Sequence, residues 1–262
     1  MTLSPETVAL AVASGAIVGL LLSVFGGGGS VLATPLLVYL VGIEDPHIAI
    51  GTSAAAVAVN ALTGLAGHAR AGRVKWPCAI VFAAAGLVGS FAGSTLAKQV
   101  DGQMLMVFFA GAMAAIALSM LRPARSAGDP DVTIDAGRTL RLAPLGLATG
   151  LAAGFFGIGG GFLIVPGLMA ATGMTLANAA ASSLVSVGLF GAATAANYAV
   201  SGQVDWPVAG LFVLGGVAGG FGGLKIARRL AGRAPLARRL FAGLILVVAV
   251  YVAWRGLTAW LL

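Results

Sequence analysis

The sequence has 262 residues, of which 59% are hydrophobic and only 9% are charged, and its mean hydropathy is +1.02. A soluble domain of this length cannot hide so much apolar surface in one core, so the composition excludes a soluble globular protein and predicts an all-α polytopic membrane protein. The net charge of +7 could suit nucleic acid, but the fifteen basic residues lie in loops or at segment ends, where membrane topology alone would place them. We therefore expect the lipid bilayer, and no nucleic acid, as a partner.

Ten apolar segments contain no Asp, Glu, Lys or Arg. In chain order they are 8–25, 30–41, 48–67, 76–97, 103–121, 142–156, 161–172, 176–198, 206–224 and 240–254. Most of them can cross about 30 Å of hydrocarbon as helices. The second and seventh segments are too short for a straight crossing, and each follows a run of glycines. No Lys or Arg precedes Arg70, so we expect no cleaved signal peptide with a basic n-region.

The chain repeats itself at an offset of 131 residues, which becomes 130 after a one-residue deletion. The aligned positions are Gly15, Gly19, Phe25, Gly28, Gly29 and Pro35 with Gly146, Gly150, Phe156, Gly159, Gly160 and Pro166, and then Gly86, Gly89 and Gly93 with Gly216, Gly219 and Gly223. This duplication predicts a first transmembrane repeat over 1–121, a cytoplasmic linker over 122–141 and a second transmembrane repeat over 142–262.

Loop charges indicate how the two repeats are oriented. The loop after the third segment carries three basic residues in the first repeat, whereas its equivalent in the second carries none; the loop after the fourth segment shows the reverse. Because Lys and Arg mark cytoplasmic loops, this exchange favours inverted repeats of about five segments each, with both termini in the periplasm. All but two basic residues, Lys98 and Arg255, then face the cytoplasm. Parallel repeats, the alternative, would divide them about equally.

The glycine runs are the first candidate site. They comprise Gly26, Gly27, Gly28 and Gly29, followed by Ser30, and Gly157, Gly159, Gly160 and Gly161. Such runs stop a helix, and the short helix that follows offers free N–H groups and a positive dipole end to an anion. Discontinuous helices in matching halves are typical of transport sites near the membrane midplane. In the other interpretation, the glycines only allow a tight reversal or close helix packing.

Polar side chains inside the apolar segments are few, and some recur in both repeats. The candidates are Thr52, Ser53 and Asn60 in the first repeat and Asn178, Ser182 and Ser183 in the second, where Thr52-Ser53 aligns with Ser182-Ser183. Hydroxyls and amides can coordinate an oxyanion without placing a fixed charge in lipid, although hydroxyls also bond to their own helix. All eight acidic residues lie outside the ten segments, which argues against a proton or cation pump with a buried carboxylate.

At these residues the chain resembles a known family. The two glycine runs ending at Pro35 and Pro166, the Gly51-Thr52-Ser53 triplet with Ala181-Ser182-Ser183, and two Gly-x-Val-x-Trp-Pro loops are similar to the sulfite exporter TauE/SafE family of membrane transporters. The likeness runs from about Gly15 to Leu257. It implies a permease of the bacterial inner membrane for sulfite, sulfonates such as sulfoacetate or related organosulfur anions, commonly an exporter. The second repeat has Ala181 where the first has Gly51.

Three classes of function follow from these observations. The first is a secondary transporter that binds a small anion between the two glycine-broken helices, as an exporter or as an uptake permease for another oxyanion or carboxylate. The second is an anion channel that uses the same elements as a filter. The third is an intramembrane enzyme, which the residues do not favour. Two histidines, one cysteine and no buried acid provide neither a set of catalytic groups nor a metal cluster. We expect no cofactor and no metal. The sequence allows a homo-oligomer but does not decide the oligomeric state.

Overall fold

The structure is a computed structural model, and it describes residues 4–121, 128–157, 161–230 and 234–261. These residues form helices, apart from loops and one isolated β-bridge between Asp129 and Met174. The α-helices are α1 (Pro5–Phe25), α2 (Ala33–Leu36), α3 (Pro46–Arg70), α4 (Trp76–Ala97), α5 (Gly102–Leu121), α6 (Ala136–Phe156), α7 (Gly161–Thr172), α8 (Leu176–Val200), α9 (Trp206–Leu230) and α10 (Ala234–Leu261). Eight helical stretches in the described residues are long and apolar enough to span a membrane, which confirms the predicted polytopic all-α fold.

Two helices start earlier than the apolar segments predict. The charge-free segments place these starts at residues 142 and 240, but α6 begins at Ala136 and α10 at Ala234. The Asp135 carboxylate accepts the backbone N–H of Arg138 and so caps α6 about two turns before its apolar part. Charges at a membrane surface do not interrupt a helix, so the end of the predicted linker, 136–141, is helical.

Close contacts at glycines show that α1 lies beside α9 and runs parallel to it. Gly215 of α9 meets the backbone of Val12, and Gly219, one turn later, meets the backbone of Ala16. The equivalent pair, α4 and α6, is also parallel, because Gly146 meets Phe82 and then Gly150 meets Gly86. The absent side chains let the backbones touch, as small residues do in membrane helices.

The central pair, α3 and α8, runs antiparallel. Ala54 and Ala58 lie against Gly191, Leu62 against Gly188, and Gly64 against Leu184. These two helices occupy equivalent places in the two repeats. Equivalent helices of the repeats therefore cross the centre of the bundle in opposite directions.

The remaining contacts orient the other helices. Along α3 and α9, Thr52 is close to Asp205 and Asn60 to Gly216, so these two helices are parallel. Along α4 and α8, Ser90 pairs with Thr194 and Lys98 with Ser201, so these are parallel too. Thus α1, α3 and α9 run one way and α4, α6 and α8 the other. We call the end that carries the 70–75 loop, the start of α6 and the end of α9 the basic end, and the opposite end the Lys98 end.

Candidate functional site

The first glycine run forms a tight, fully buried turn. After α1, Gly26 adopts φ +64° and ψ −146°, which reverses the chain, and the next residues form a 3-10 helix over Gly26–Leu32. All seven residues of that helix are buried. The chain then continues through α2 into a π-helical turn, Leu37–Val41. The predicted helix break is therefore present, and the chain turns back into the protein.

Gly26 and Gly42 allow a matched test of this turn. Both have positive φ, but a Cβ at Gly26 would overlap the Ala180 backbone, whereas a Cβ at Gly42 meets nothing within 4 Å. We expect Gly42→Ala to lower stability by about 1 kcal/mol and Gly26→Ala by at least about 3 kcal/mol, because the second change combines strain with a backbone clash. Thermal unfolding of both variants in detergent measures the difference. Equal melting temperatures would contradict the close contact between Gly26 and the Ala180 backbone of α8.

The second glycine run also begins with a glycine at positive φ. Gly157 ends α6 with φ +66°, and α7 starts at Gly161. Of the predicted ligands, Gly159 and Gly160 lie outside the described residues. The short segment predicted at 161–172 is α7 with the same bounds.

Each glycine turn contacts a serine of the other repeat. The Gly27 N–H donates to the Ser183 hydroxyl at 3.0 Å, and the Ser53 hydroxyl lies 3.4 Å from the Gly157 carbonyl oxygen. Both serines are buried, and each lies seven residues after the start of its helix. These two places thus lie about 10 Å inside opposite ends of the bundle.

The two glycine turns do not meet at one point. From the antiparallel pairing of α3 and α8, the levels of Ser53 and Ser183 are roughly 18 Å apart along the helices. The sequence placed both breaks near the midplane, but α1 and α6 are 21 residues long, about 31 Å, and have nearly completed a crossing before they break. A single small anion cannot touch both turns at once.

Thr52 and Ser182, which are equivalent residues of the two repeats, have the same structural role. The Thr52 hydroxyl accepts the backbone N–H of Asp205 at 2.9 Å, and the Ser182 hydroxyl accepts that of Lys75 at 2.9 Å. These N–H groups precede the Trp-Pro that opens α9 and α4. The repeated hydroxyls thereby satisfy the start of a helix in the other repeat.

Other predicted ligands are also engaged or lie elsewhere. The Ser30 hydroxyl donates to the Gly27 carbonyl at 2.8 Å, and Gly28 faces the ring of Phe241. Gly29 packs on the backbone of α1. Asn178 lies near the start of α8, where its amide donates to the Pro130 carbonyl at 3.0 Å in the loop before α6. It does not belong to the buried site.

Asn60 differs from all of these. It is 3% exposed, and neither its amide nitrogen nor its oxygen has a hydrogen-bond partner in the described part of the chain. Its side chain lies against Gly216, where any Cβ would overlap the amide. An unpartnered buried amide costs about 1–3 kcal/mol, so its presence calls for a further partner, which an ordered water or a bound solute can supply.

The level of Asn60 is the centre of the bundle. Asn60 lies between Ala58, which faces Gly191, and Leu62, which faces Gly188. Its repeat equivalent, Phe190, lies in that same stretch of α8. Asn60 is therefore at the height where the central helices face their own equivalents. Phe190 itself packs on Gly86, the equivalent of Gly216, and fills the place that the amide takes in the first repeat.

Two further unpartnered hydroxyls lie at this height. Ser14 of α1 and Ser186 of α8 are fully buried, and neither hydroxyl has a partner among the described residues. Ser14 is within about one turn of the level of Gly216, and Ser186 lies between the residues of α8 that face Leu62 and Gly64. The sequence prediction missed both serines, because neither recurs in the other repeat. The remaining unpartnered groups, on His47, Tyr198 and Gln203, lie near the Lys98 end.

A small cavity lies about one turn from Asn60, toward the basic end. It measures about 30 Å³ and lies between α1, α3 and α9. Its lining consists of Ser23, Thr63, Gly64, Val217, Gly220, Phe221 and Leu224. Two hydroxyls and two glycines thus border a space that is large enough for about one water molecule.

The electrostatics of the centre are neutral. All eight acidic residues are among the described residues; seven are exposed, Asp205 is half-buried, and none lies inside the bundle. No group of three His, Cys, Asp or Glu side chains in the described residues could hold a metal ion. The centre therefore offers hydrogen-bond donors and no fixed negative charge to a solute.

Comparison with known proteins decides the family. The profile described as "Sulfite exporter TauE/SafE" matches residues 11–252, nearly the whole chain. The chain belongs to the sulfite exporter TauE/SafE family. This confirms the resemblance seen in the glycine runs and the Trp-Pro loops.

Relatives of this TauE/SafE chain are named as transporters. It is 45% identical over 252 residues to a "Probable membrane transporter protein" of Xylella fastidiosa, which covers 96% of this chain and 97% of that protein. It is 26% identical over 215 residues to YdhB of Bacillus subtilis, over 80% and 86% of the two chains, and 33% identical over 160 residues to a protein of Methanocaldococcus jannaschii, over 58% of each. No solved structure matches the chain. The TauE/SafE chain is thus a multi-pass membrane transporter and not an enzyme.

Proposed function

We propose that this chain is a secondary transporter of small anions, such as sulfite or an organosulfonate, and that it exports them across the bacterial inner membrane. The observation that carries the proposal is the unpartnered, buried Asn60 amide at the centre of the bundle. Buried polar groups without partners mark a place where a solute completes the hydrogen bonds.

The chemistry of this centre favours an anion. An oxyanion accepts hydrogen bonds only, and the Asn60 amide nitrogen can donate two. No carboxylate lies nearby to repel the anion or to coordinate a cation. Neutral donors can hold an anion without the cost of burying a fixed charge.

Opposed helix directions support alternating access. Because α3 and α8 are equivalent and antiparallel, we infer that the two repeats are inverted in the membrane. In each half the first helix then ends in a glycine turn that contacts a serine of the other half. Rocking of one half against the other around the central Asn60 would expose it to each side in turn.

Topology follows from the charges at the two ends. Arg70, Arg73 and Lys75 lie at the basic end, and Lys98 lies at the other. Under the positive-inside rule the basic end faces the cytoplasm, and both termini face the periplasm. Alkaline phosphatase fused after Leu262 should therefore be active, whereas the same enzyme fused into the 70–75 loop should be inactive. The opposite result would reverse the topology.

Transport itself is tested by counterflow in liposomes. We expect purified protein to accumulate labelled sulfite or sulfoacetate when the same unlabelled anion is inside, with at least about tenfold less accumulation for acetate. Saturable counterflow indicates a carrier, while flux without counterflow would indicate the channel. Transport of carboxylates in place of sulfur oxyanions would favour the alternative uptake permease. No flux of any of these anions would overturn the proposal.

A further inference from the structure

We call the interface between two neighbouring helices a seam. Toward the Lys98 end, a chain of hydrogen bonds closes the seam between α4 and α8. The Ser90 hydroxyl contacts both the Thr194 hydroxyl and the Phe190 carbonyl oxygen, each at 3.1 Å. One turn later, the Asn197 amide donates to the hydroxyl of Ser94 at 2.7 Å and to that of Thr95 at 3.0 Å. The hydroxyls of Ser90, Ser94, Thr95 and Thr194 and the Asn197 amide are thus all paired along this end of the seam.

Lys98 completes this chain. Its ammonium donates to the Asn197 side-chain oxygen at 2.8 Å, to the Asn197 carbonyl at 3.2 Å and to the Ser201 hydroxyl at 3.0 Å. No carboxylate in the described residues pairs with it, since the single ion pair there joins Arg138 and Asp135. Lys98 is therefore a half-buried cation held by three neutral oxygens.

The equivalent seam between α9 and α3 has no such chain. Ser90 and Thr194 correspond to Gly220 and Gly64, which line the cavity described above. Asn197 and Ser94 correspond to Gly67 and Leu224, which make an apolar contact. One seam is therefore closed by hydrogen bonds while its repeat equivalent, toward the basic end, leaves a space.

We propose that Lys98 is an anion-binding subsite that also closes the seam, so that the transported anion opens this end by taking Lys98 from Asn197 and Ser201. The proposal rests on the proposed function, because it needs an anionic substrate. An ammonium binds a charged oxygen more strongly than a neutral one, so an oxyanion can replace the amide and hydroxyl ligands. The seam then loses its strongest cross-link at the moment the substrate binds.

Two variants separate binding from closure. Lys98→Gln removes the charge that binds the anion, and we expect the sulfoacetate concentration for half-maximal uptake from the Lys98 end to rise at least about tenfold. Asn197→Ala weakens the closed seam but keeps the cation, so the open state becomes more populated and the same concentration should fall about threefold. Ser201→Ala should lower it by a smaller factor. If Lys98 only held the seam together, Lys98→Gln would shift the concentration in the same direction as Asn197→Ala.

The measurement uses right-side-out and inside-out membrane vesicles, which expose opposite ends, corrected with vesicles from cells that lack the protein. Arg255→Gln is the matched control, because Arg255 is the other basic residue at the Lys98 end and, like Lys98, lies over a tyrosine ring, but it has no part in the α4–α8 hydrogen bonds. It should change half-maximal uptake less than twofold from either side. A tenfold effect of Lys98→Gln on uptake from the basic end as well would overturn the one-sided subsite.

A disulfide tests whether this seam must open. Ser94→Cys with Asn197→Cys, in a Cys78→Ala background, places two thiols where the side chains now touch. We expect oxidation to reduce sulfoacetate counterflow at least tenfold and dithiothreitol to restore it, which also shows that the protein is folded; sulfite is avoided because it cleaves disulfides. Full counterflow in the cross-linked protein overturns the seam as a gate. Absence of wild-type counterflow instead overturns the proposed function, and the anion subsite with it.

Discussion

Replacing Asn60 with leucine is expected to reduce counterflow of sulfite or sulfoacetate at least about a hundredfold and to leave the protein folded. The Asn60 amide is a donor at the centre of the bundle that no group in the described part of the chain uses. Leucine has nearly the same shape but cannot donate to an oxyanion, and a site built to hydrogen-bond its substrate loses most of its affinity when a donor is removed.

Stability gives this variant a second readout. Because an unpartnered buried amide costs about 1–3 kcal/mol, Asn60→Leu should keep or raise the melting temperature in detergent. Asn197→Leu is the matched control, since Asn197 is also buried but bonds Ser94, Thr95 and Lys98. That change should lower the melting temperature. If Asn60→Leu unfolds the protein or transports normally, Asn60 has a structural role and the central site is misplaced.

Most of the architecture could be predicted from the sequence, because the bilayer imposes simple rules. A span must be apolar and about 20 residues long, so charge-free runs identify the helices. Glycine density identified both helix breaks, at Gly26 and Gly157, since both residues adopt the left-handed φ that glycine favours. Helix ends were less accurate, because helices such as α6 continue through charged residues beyond the hydrocarbon.

The site was harder to predict, because a polar residue can recur in both repeats for two reasons. It can bind the substrate, or it can meet a structural need that both repeats share. Thr52 and Ser182 recur in both halves, which favoured them as ligands, but both halves need the same cap on a Trp-Pro helix start. Asn60 has no repeat equivalent among the polar residues, as Phe190 takes its place. The physical signal that could have ranked it first is a lone amide in an otherwise apolar membrane helix.

The depth of the glycine turns in the membrane follows from the lengths of the helices before them and not from the glycine motifs. The sequence shows that a helix breaks after Phe25, yet only the length of α1 shows how far it has crossed. The parallel or inverted relation of the repeats, the periplasmic termini and an oligomeric state stay predictions. The antiparallel arrangement of α3 and α8 supports inverted repeats, and the alkaline phosphatase fusions test whether the termini are periplasmic.

Gly150→Val is expected to prevent stable assembly of the transporter. Any Cβ at Gly150 would overlap the backbone of Gly86 on α4, where the two helices touch without side chains between them. Backbone cannot move aside as a flexible side chain can, so valine must separate α4 from α6, at a cost of about 3 kcal/mol or more. We expect the melting temperature to fall by at least about 10 °C, or the protein to aggregate on extraction.

Gly111→Val is the matched control for this prediction. Gly111 lies in the membrane helix α5, but a Cβ there would meet nothing within 4 Å. Both variants add the same side chain to a glycine inside a membrane helix, where lipid supplies little drive for helix association. Their difference therefore isolates the helix contact from helix propensity. A similar melting temperature for the two variants would mean that α4 and α6 do not touch at Gly150.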